Sequence, residues 1–136
     1  MIKVIMGVKG TGKTKQMIDL INNAVNNEHG NVVCIEKGRK LTYDINSQIR
    51  LVEAEPYNLN TFEVMRGFIA GLYAGNFDIT HIFIDSLCKI VPSDCGPELD
   101  SFLAWLDGFA EKNDIKFTIS ISADESVASD DVKKFF

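Results

Sequence analysis

Eight residues near the start of the chain, Gly7–Thr14, read G-V-K-G-T-G-K-T and carry groups that bind phosphate. Backbone N–H groups must approach phosphate oxygens closely, and the three glycines permit this because a Cβ would obstruct the approach or the φ > 0 turns that it needs. Lys13 would reach the β- and γ-phosphates of a nucleotide, and the Thr14 hydroxyl would bind Mg²⁺. The residues expected to contact the nucleotide are Gly7, Val8, Lys9, Gly10, Thr11, Gly12, Lys13 and Thr14.

The residues on either side of this glycine-rich loop predict a strand before it and a helix after it. Ile2–Met6 is an apolar run of strand length. After the loop, apolar residues recur at the spacing of one helix face, at Met17, Ile18, Leu20, Ile21, Ala24 and Val25. Such a helix would present its N-terminal N–H groups to a bound anion. Strand, loop and helix together are a more specific signal than a glycine-containing turn alone.

A second group for this chemistry ends a later predicted strand. Residues 80–85 read T-H-I-F-I-D, an apolar run that finishes in a carboxylate. The Mg²⁺ that accompanies a nucleotide commonly needs a carboxylate at the tip of a neighbouring strand, which it reaches through water. Thr14 and Asp85 are therefore the predicted metal residues. Asp78 precedes the strand and would lie at the wrong edge of a parallel sheet.

The rest of the chain alternates predicted strands and helices, which indicates an α/β fold with a mainly parallel five-stranded sheet and helices on both faces. The other strands are predicted at residues 31–36, 49–54 and 115–122. Helices are predicted at residues 60–75, where Asn60 and Glu63 resemble a capping box, and at residues 97–109, opened by Pro97. Residues 38–47 give no assignment. The chain ends in an apolar pattern, at Val132, Phe135 and Phe136, that predicts a short docked turn.

Composition limits the class of protein. With 136 residues, 46% hydrophobic and 24% charged, the chain is expected to form one globular domain over residues 1–136. A net charge of −5 disfavours nucleic acid as a partner, and the longest apolar runs are too short to span a membrane. Because the first strand begins at residue 2, no signal peptide is predicted and a cytoplasmic location is expected. Cys34, Cys88 and Cys95 lack C-x-x-C spacing, which predicts free thiols.

The pairing of G-V-K-G-T-G-K-T with H-I-F-I-D resembles the P-loop NTPases, and nearly the whole chain is similar to their RecA-like, additional-strand branch. The stretch between Lys13 and Asp85 leaves room for two intervening strands, as in that branch. The resemblance implies the three-layer P-loop NTPase fold, with ATP and Mg²⁺ as cofactors. The chain is also similar to small bacterial ATP-binding proteins that carry the label PilT-like. A secretion motor of that kind has a preceding domain and further acidic and histidine motifs, so we expect no motor function.

The resemblance also indicates which residues would activate water. Many ATPases of the additional-strand class place a glutamate directly after the magnesium aspartate, whereas this chain has Ser86 there. In the RecA-like branch the glutamate can instead end the strand after the first helix, a position that Glu36 occupies. Lys13 and Glu36 are therefore the candidate catalytic residues, although a strand-end glutamate can also be a solvated carboxylate without a role. Ser120 or Ser122 is a candidate sensor of the γ-phosphate.

Several functions fit these residues. No N-K-x-D sequence occurs to read guanine, which favours ATP over GTP. The leading expectation is an ATP-binding protein that acts as a slow Mg²⁺-dependent ATPase or as a nucleotide-dependent switch. The first alternative is a small-molecule, nucleoside-type kinase, whose acceptor pocket would come from residues 38–47 and 86–98. The second alternative is a non-catalytic regulatory module that only holds ATP.

Partners other than the nucleotide are predicted only in outline. RecA-like domains often place the nucleotide at subunit boundaries, so a homo-oligomer or an activating protein partner is compatible with the resemblance. Arg39, Arg50 and Arg66 are the three arginines, and an arginine finger would have to come from one of them or from another protein. Arg39 is the best placed of the three, because it follows the second predicted strand beside Lys37 and Lys40.

Overall fold

The computed structural model describes residues 1–41 and 44–136, which contain five strands, five α-helices and two short 3₁₀ turns. The strands are β1 (Ile2–Met6), β2 (Asn31–Glu36), β3 (Arg50–Glu53), β4 (Ile79–Ile84) and β5 (Lys116–Ile121). The helices are α1 (Lys13–Asn27), α2 (Phe62–Gly75), α3 (Leu87–Ile90), α4 (Pro97–Asn113) and α5 (Asp130–Lys133). The 3₁₀ turns are Glu55–Tyr57 and Glu125–Val127.

The five strands form one sheet. Their order is β1-β5-β4-β2-β3, and every pairing between neighbours is parallel. The last strand in the sequence, β5, therefore lies between β1 and β4. Because parallel strands all end at the same edge, the residues that follow β1, β2, β4 and β5 meet at the carboxyl edge of the sheet. The predicted α/β class and five-stranded sheet are confirmed, and the sheet is parallel throughout.

Apolar side chains cover both faces of this sheet. On one face, Ile5, Cys34 and Phe83 pack with Met17 and Ile21 of α1. On the other face, a larger cluster joins the strands to α2, α3, α4 and α5. Successive residues of a strand point to opposite faces, so the near-continuous apolar runs of β2 and β4 supply both clusters. The predicted helices on both faces are confirmed.

The strands begin and end within one residue of the sequence predictions, whereas α2 and α4 each differ from the prediction by more than one residue at one end. The N-cap of α2 is Thr61, whose Oγ1 accepts a hydrogen bond from Val64 N–H at 3.1 Å. The capping box predicted from Asn60 is therefore wrong by one residue. The short helix α3, directly after β4, has no counterpart among the predictions. Of residues 38–47, for which the sequence predicts no element, positions 42 and 43 lie outside the described residues.

The C-terminal segment docks onto the edge strand β1. Val132 of α5 is fully buried, and the Phe135 carbonyl accepts a hydrogen bond of 2.8 Å from Val4 N–H. This bond satisfies a backbone donor of a strand that lies at one end of the sheet. The predicted docking is thus confirmed for Val132, while Phe136 remains 43% exposed.

The three cysteines are free thiols, as predicted. Cys34 and Cys95 are buried, and Cys88 is half-buried. Within residues 1–41 and 44–136, no helix has both the length and the apolar composition needed to cross a membrane.

A buried polar cluster lies at the opposite, amino edge of the sheet. Glu28 follows α1, and its Oε2 accepts a hydrogen bond of 2.8 Å from Lys116 Nζ. The same oxygen lies 3.7 Å from Nδ1 of His81, whose Nε2 is 2.9 Å from the Thr118 hydroxyl. Burial is the main reason that the pKa of His81 is lowered to about 4. Burial acts against the charged form of Glu28, but the Lys116 bond and nearby charges outweigh it and lower the pKa of Glu28.

This cluster predicts that the fold loses stability on mild acidification. His81 has a lower pKa in the folded chain than in the unfolded chain, so the unfolded chain binds the proton first as the pH falls from about 6.5 towards 4. We expect the free energy of unfolding to fall in this window by up to about 1.4 kcal/mol per pH unit. Urea titrations between pH 7 and pH 4 measure this slope. His81→Gln should reduce the slope, whereas His29→Gln, at the exposed second histidine, should not; equal slopes in both variants would contradict the assignment.

Candidate functional site

The glycine-rich loop connects β1 to α1 in the conformation that its glycines predict. Gly10 and Gly12 have φ values of +90° and +84°, in the left-handed region that other residues rarely adopt. Gly12 is the N-cap, and α1 begins at Lys13. The loop is therefore wound so that the start of a 15-residue helix lies at the carboxyl edge of the sheet.

Hydrogen bonds within the loop converge on one carbonyl. The Val8 carbonyl accepts from the Thr11 hydroxyl at 2.8 Å and from Lys13 Nζ at 3.2 Å. The Thr11 hydroxyl also closes over Gly7, where an added Cβ would lie 2.6 Å from Thr11 Oγ1. Gly7 is thus required for close packing of the loop on itself, and Lys13 is held beside the loop by a hydrogen bond.

A cleft of about 360 Å³ opens above the loop and the carboxyl ends of β4 and β5. It is lined by Lys9, Gly10, Gly12, Lys13, Thr14, Lys40, Asp85, Ser86, Lys89, Ser120 and Ser122. Five of the eight predicted loop residues and the predicted metal residue Asp85 therefore come together. Gly7, Val8 and Thr11 belong to the same loop but do not line the cleft. We refer to this space as the phosphate cleft, after the ligand that the loop sequence predicts.

Asp85 is fixed in this cleft by a neighbouring strand. It follows β4 directly, is 7% exposed, and donates its N–H to the Ile35 carbonyl at 2.9 Å. Its Oδ1 accepts a hydrogen bond of 2.9 Å from the Ser120 hydroxyl of β5. Ser120 Oγ in turn accepts a hydrogen bond of 2.8 Å from Ser86 N–H. Because the only hydroxyl hydrogen of Ser120 is used on Asp85, this serine orients the carboxylate and is a poor phosphate sensor. Ser122 lines the cleft.

The structure places Glu36 next to the phosphate cleft and not in it. Glu36 lines an adjoining cleft of about 310 Å³ that shares Lys40, Asp85, Ser86 and Lys89 with the phosphate cleft. The residue is 2% exposed, and its Oε2 accepts a hydrogen bond of 3.1 Å from Leu41 N–H. Burial is the largest of the effects that raise the pKa of Glu36. The solvated carboxylate considered as its alternative role is therefore wrong, since the side chain braces the backbone at Leu41.

Two lysines beyond the glycine-rich loop also line the phosphate cleft. Lys89 lies on α3, and Lys40 belongs to the loop after β2. Burial, followed by the positive charge of Lys89, lowers the pKa of Lys13, and Lys40 acts in the same direction. The sequence carries a weak signal for Lys89, which lies four residues after Asp85. Because the sequence does not predict α3, this spacing alone does not show that Lys89 lines the cleft.

No protein-family model matches this chain, and no curated protein matches it. The chemistry of the cleft is therefore inferred from its own residues and their geometry. The cleft combines three features: the wound loop, the oriented carboxylate and the lysines.

The donor set of the phosphate cleft fits a magnesium nucleotide better than a metal bound by protein alone. Within the described ranges 1–41 and 44–136, no three His, Cys, Asp or Glu residues lie close enough to hold a metal ion. The cleft does contain the Thr14 residue and the Asp85 carboxylate. Mg²⁺ is commonly bound through one or two protein oxygens, with water and substrate phosphates supplying the rest. Thr14 and Asp85 would therefore be the protein's contribution to holding a metal that arrives with a polyphosphate.

The role of Ser120 can be tested by removing its hydroxyl. Ser120→Ala leaves Ser86 N–H without its acceptor and Asp85 without a donor. We expect the free energy of unfolding to fall by about 1–3 kcal/mol, measured by urea denaturation. Ser122→Ala, two residues further along at the half-buried lining of the same cleft, should change it by less than about 0.5 kcal/mol. Equal losses in the two variants would show that Ser120 has no special bracing role.

Proposed function

We propose that this chain is a P-loop NTPase of the RecA-like, additional-strand branch, which binds ATP with Mg²⁺ and hydrolyses it slowly or uses it as a switch. The observation that carries the proposal is the phosphate cleft itself. It joins the start of α1, Lys13, Thr14 and Asp85 in one space of about 360 Å³. Each of these groups has a separate task in holding a magnesium polyphosphate.

The strand order supports the choice of branch. β5 pairs with β1 on one side and with β4 on the other, so one added strand separates the loop strand from the strand of Asp85. This is the arrangement that the name additional-strand describes. β2 and β3 lie between Lys13 and Asp85 in the sequence, as the resemblance implies. The hydroxyl of Ser120 on β5 links this added strand to the carboxylate.

Each residue of the cleft would have its own role in binding and hydrolysing the nucleotide. Backbone N–H groups of the loop and of the first turn of α1 would donate to phosphate oxygens, and Lys13 would neutralise their charge. Thr14 and Asp85 would hold Mg²⁺, which supplies further charge neutralisation when it is bound. Ser120 keeps the Asp85 carboxylate in place through its hydroxyl. Glu36 is the candidate base, since it lines the cleft that adjoins Asp85.

The adjoining cleft favours a second candidate function, a small-molecule kinase. Its lining includes Gly38, Ser86 and Lys89, from the two segments in which an acceptor pocket is expected. It borders the phosphate cleft through residues common to both. An acceptor hydroxyl held there would take the place that water has in hydrolysis. A regulatory module that only holds ATP, and an activating partner or second copy, are further possibilities.

The first experiment is a single-turnover reaction with γ-labelled ATP and Mg²⁺. We expect the label to appear as free phosphate, and Lys13→Ala to weaken nucleotide binding at least about tenfold because a charged hydrogen-bond donor is lost. Lys15→Ala, two residues further along and outside the cleft lining, is the matched control. Intact ATP on the protein would favour a switch or regulatory module, and label on an added metabolite would favour a kinase. Absence of ATP binding by the unaltered chain would overturn the proposal.

The role of Glu36 has its own test. Glu36→Gln removes a carboxylate that can accept a proton, so we expect ATP binding to persist and turnover to fall at least about 100-fold. Glu55→Gln is the control, because Glu55 lines the same adjoining cleft but is exposed. Phosphate release and nucleotide affinity are measured for both variants. Unchanged turnover in Glu36→Gln would leave Glu36 with only its bracing role at Leu41.

A further inference from the structure

The phosphate cleft carries more positive charge than its carboxylate balances. Lys9, Lys13, Lys40 and Lys89 line it, together with the single acidic residue Asp85. Lysines that share a cleft repel one another: burial is the main cause of the lowered pKa of Lys13, and the charges of Lys89 and Lys40 act in the same direction. A ligand with several negative charges removes this repulsion, so the extra lysines suit the terminal part of a polyphosphate.

The three arginines of the chain lie outside the phosphate cleft. Arg39 is paired with Glu53 of β3 and its side chain is 79% exposed. Arg50 begins β3 and therefore lies at the amino edge of the sheet, away from the loop. Arg66 is on α2, with its guanidinium 5.9 Å from the centre of the Trp105 ring. All three arginines lie within the described ranges, and none of them lines the phosphate cleft. Arg39, the arginine expected to be best placed as a finger, therefore does not line the cleft of its own chain, and a role for it in a second copy stays a prediction.

Lys89 is held beside the cleft by the same contacts that orient the carboxylate. Its N–H donates to the Ser86 carbonyl at 2.9 Å, which closes the first turn of α3. Ser86 has a φ of +53°, and its N–H is bound by Ser120 Oγ, the atom that also donates to Asp85. The backbone of Lys89 is thus tied through Ser86 and Ser120 to Asp85. The backbone that carries the Lys89 side chain therefore has a fixed position relative to the carboxylate.

Lys40 is positioned in a comparable way from the other side. The N–H of the next residue, Leu41, is bound by the buried Glu36 carboxylate at 3.1 Å. Leu41 itself is fully buried against α1 in the smaller apolar cluster. The backbone of the loop after β2 is therefore fixed next to Lys40. The Lys40 side chain is exposed and lines the cleft.

From these contacts we infer that Lys89, assisted by Lys40, recognises the γ-phosphate of the bound nucleotide within the same chain. The inference rests on the proposed function and extends it to triphosphate specificity. Lysine binds phosphate as a compact point charge, so the two side chains can share one phosphate group without the planar geometry that arginine requires. The chain would then distinguish ATP from ADP without a residue from a partner.

The test compares a non-hydrolysable ATP analogue with ADP, both with Mg²⁺, by isothermal titration calorimetry. The unaltered chain should bind the analogue more tightly than ADP. Lys89→Met should weaken binding of the analogue about tenfold and that of ADP by less than about twofold, because only the triphosphate reaches the removed charge. Lys40→Met should act in the same direction to a smaller extent. Lys89→Arg, which keeps the charge, should restore most of the preference for the triphosphate.

Controls separate failure of this inference from failure of the proposed function. Lys112→Met, at an exposed position of the last turn of α4, should bind both nucleotides as the unaltered chain does. Thermal unfolding checks that each variant is folded, which is expected because Lys89 is exposed. If the unaltered chain binds both nucleotides but Lys89→Met changes neither affinity, or changes both equally, Lys89 does not read the γ-phosphate and the inference is wrong. If the unaltered chain binds neither nucleotide, the proposed function fails and the inference fails with it.

Discussion

The hydroxyl of Ser120 is the contact on which the rest of the candidate site depends. It donates to Asp85 Oδ1 at 2.9 Å and accepts from Ser86 N–H at 2.8 Å. A single buried group thereby sets the direction of the carboxylate and the start of the helix that carries Lys89. The contact exists only because β5, the last strand in the sequence, pairs between β1 and β4. Parallel pairing then brings the loop, the carboxylate and the serine to one edge.

The phosphate cleft is positively charged although the chain as a whole is acidic. The chain as a whole is acidic, with a net charge of −5, yet four lysines line the phosphate cleft. Local charge of this kind would attract a polyanion without making the whole surface basic, as the proposed nucleotide site requires. The buried polar cluster at the amino edge, around Glu28 and His81, has a different task, since its hydrogen bonds are made within the protein.

Much of the fold could be predicted because its signals are local. Every strand was recognisable from a short apolar run, and the loop from its glycines and Lys13. The N-cap of α2 lies one residue later than predicted, because Asn60 and Thr61 are both good capping residues and it is the Thr61 side chain that accepts the hydrogen bond from Val64 N–H. Helix α3 was missed because four residues are too few for a periodic pattern.

The sequence by itself determined the conformation of the Gly7–Thr14 loop, on which the proposed phosphate binding depends, because that conformation is set by neighbouring residues and requires glycine. It also indicated Asp85, which ends an apolar strand. Only the tertiary structure decided the strand order, the bracing of Asp85 by Ser120 and the entry of Lys89 into the cleft. These contacts join residues that are far apart in the chain, or they depend on α3, which is too short to give a periodic sequence pattern. Their geometry arises from packing of the whole sheet, and periodicity does not encode it.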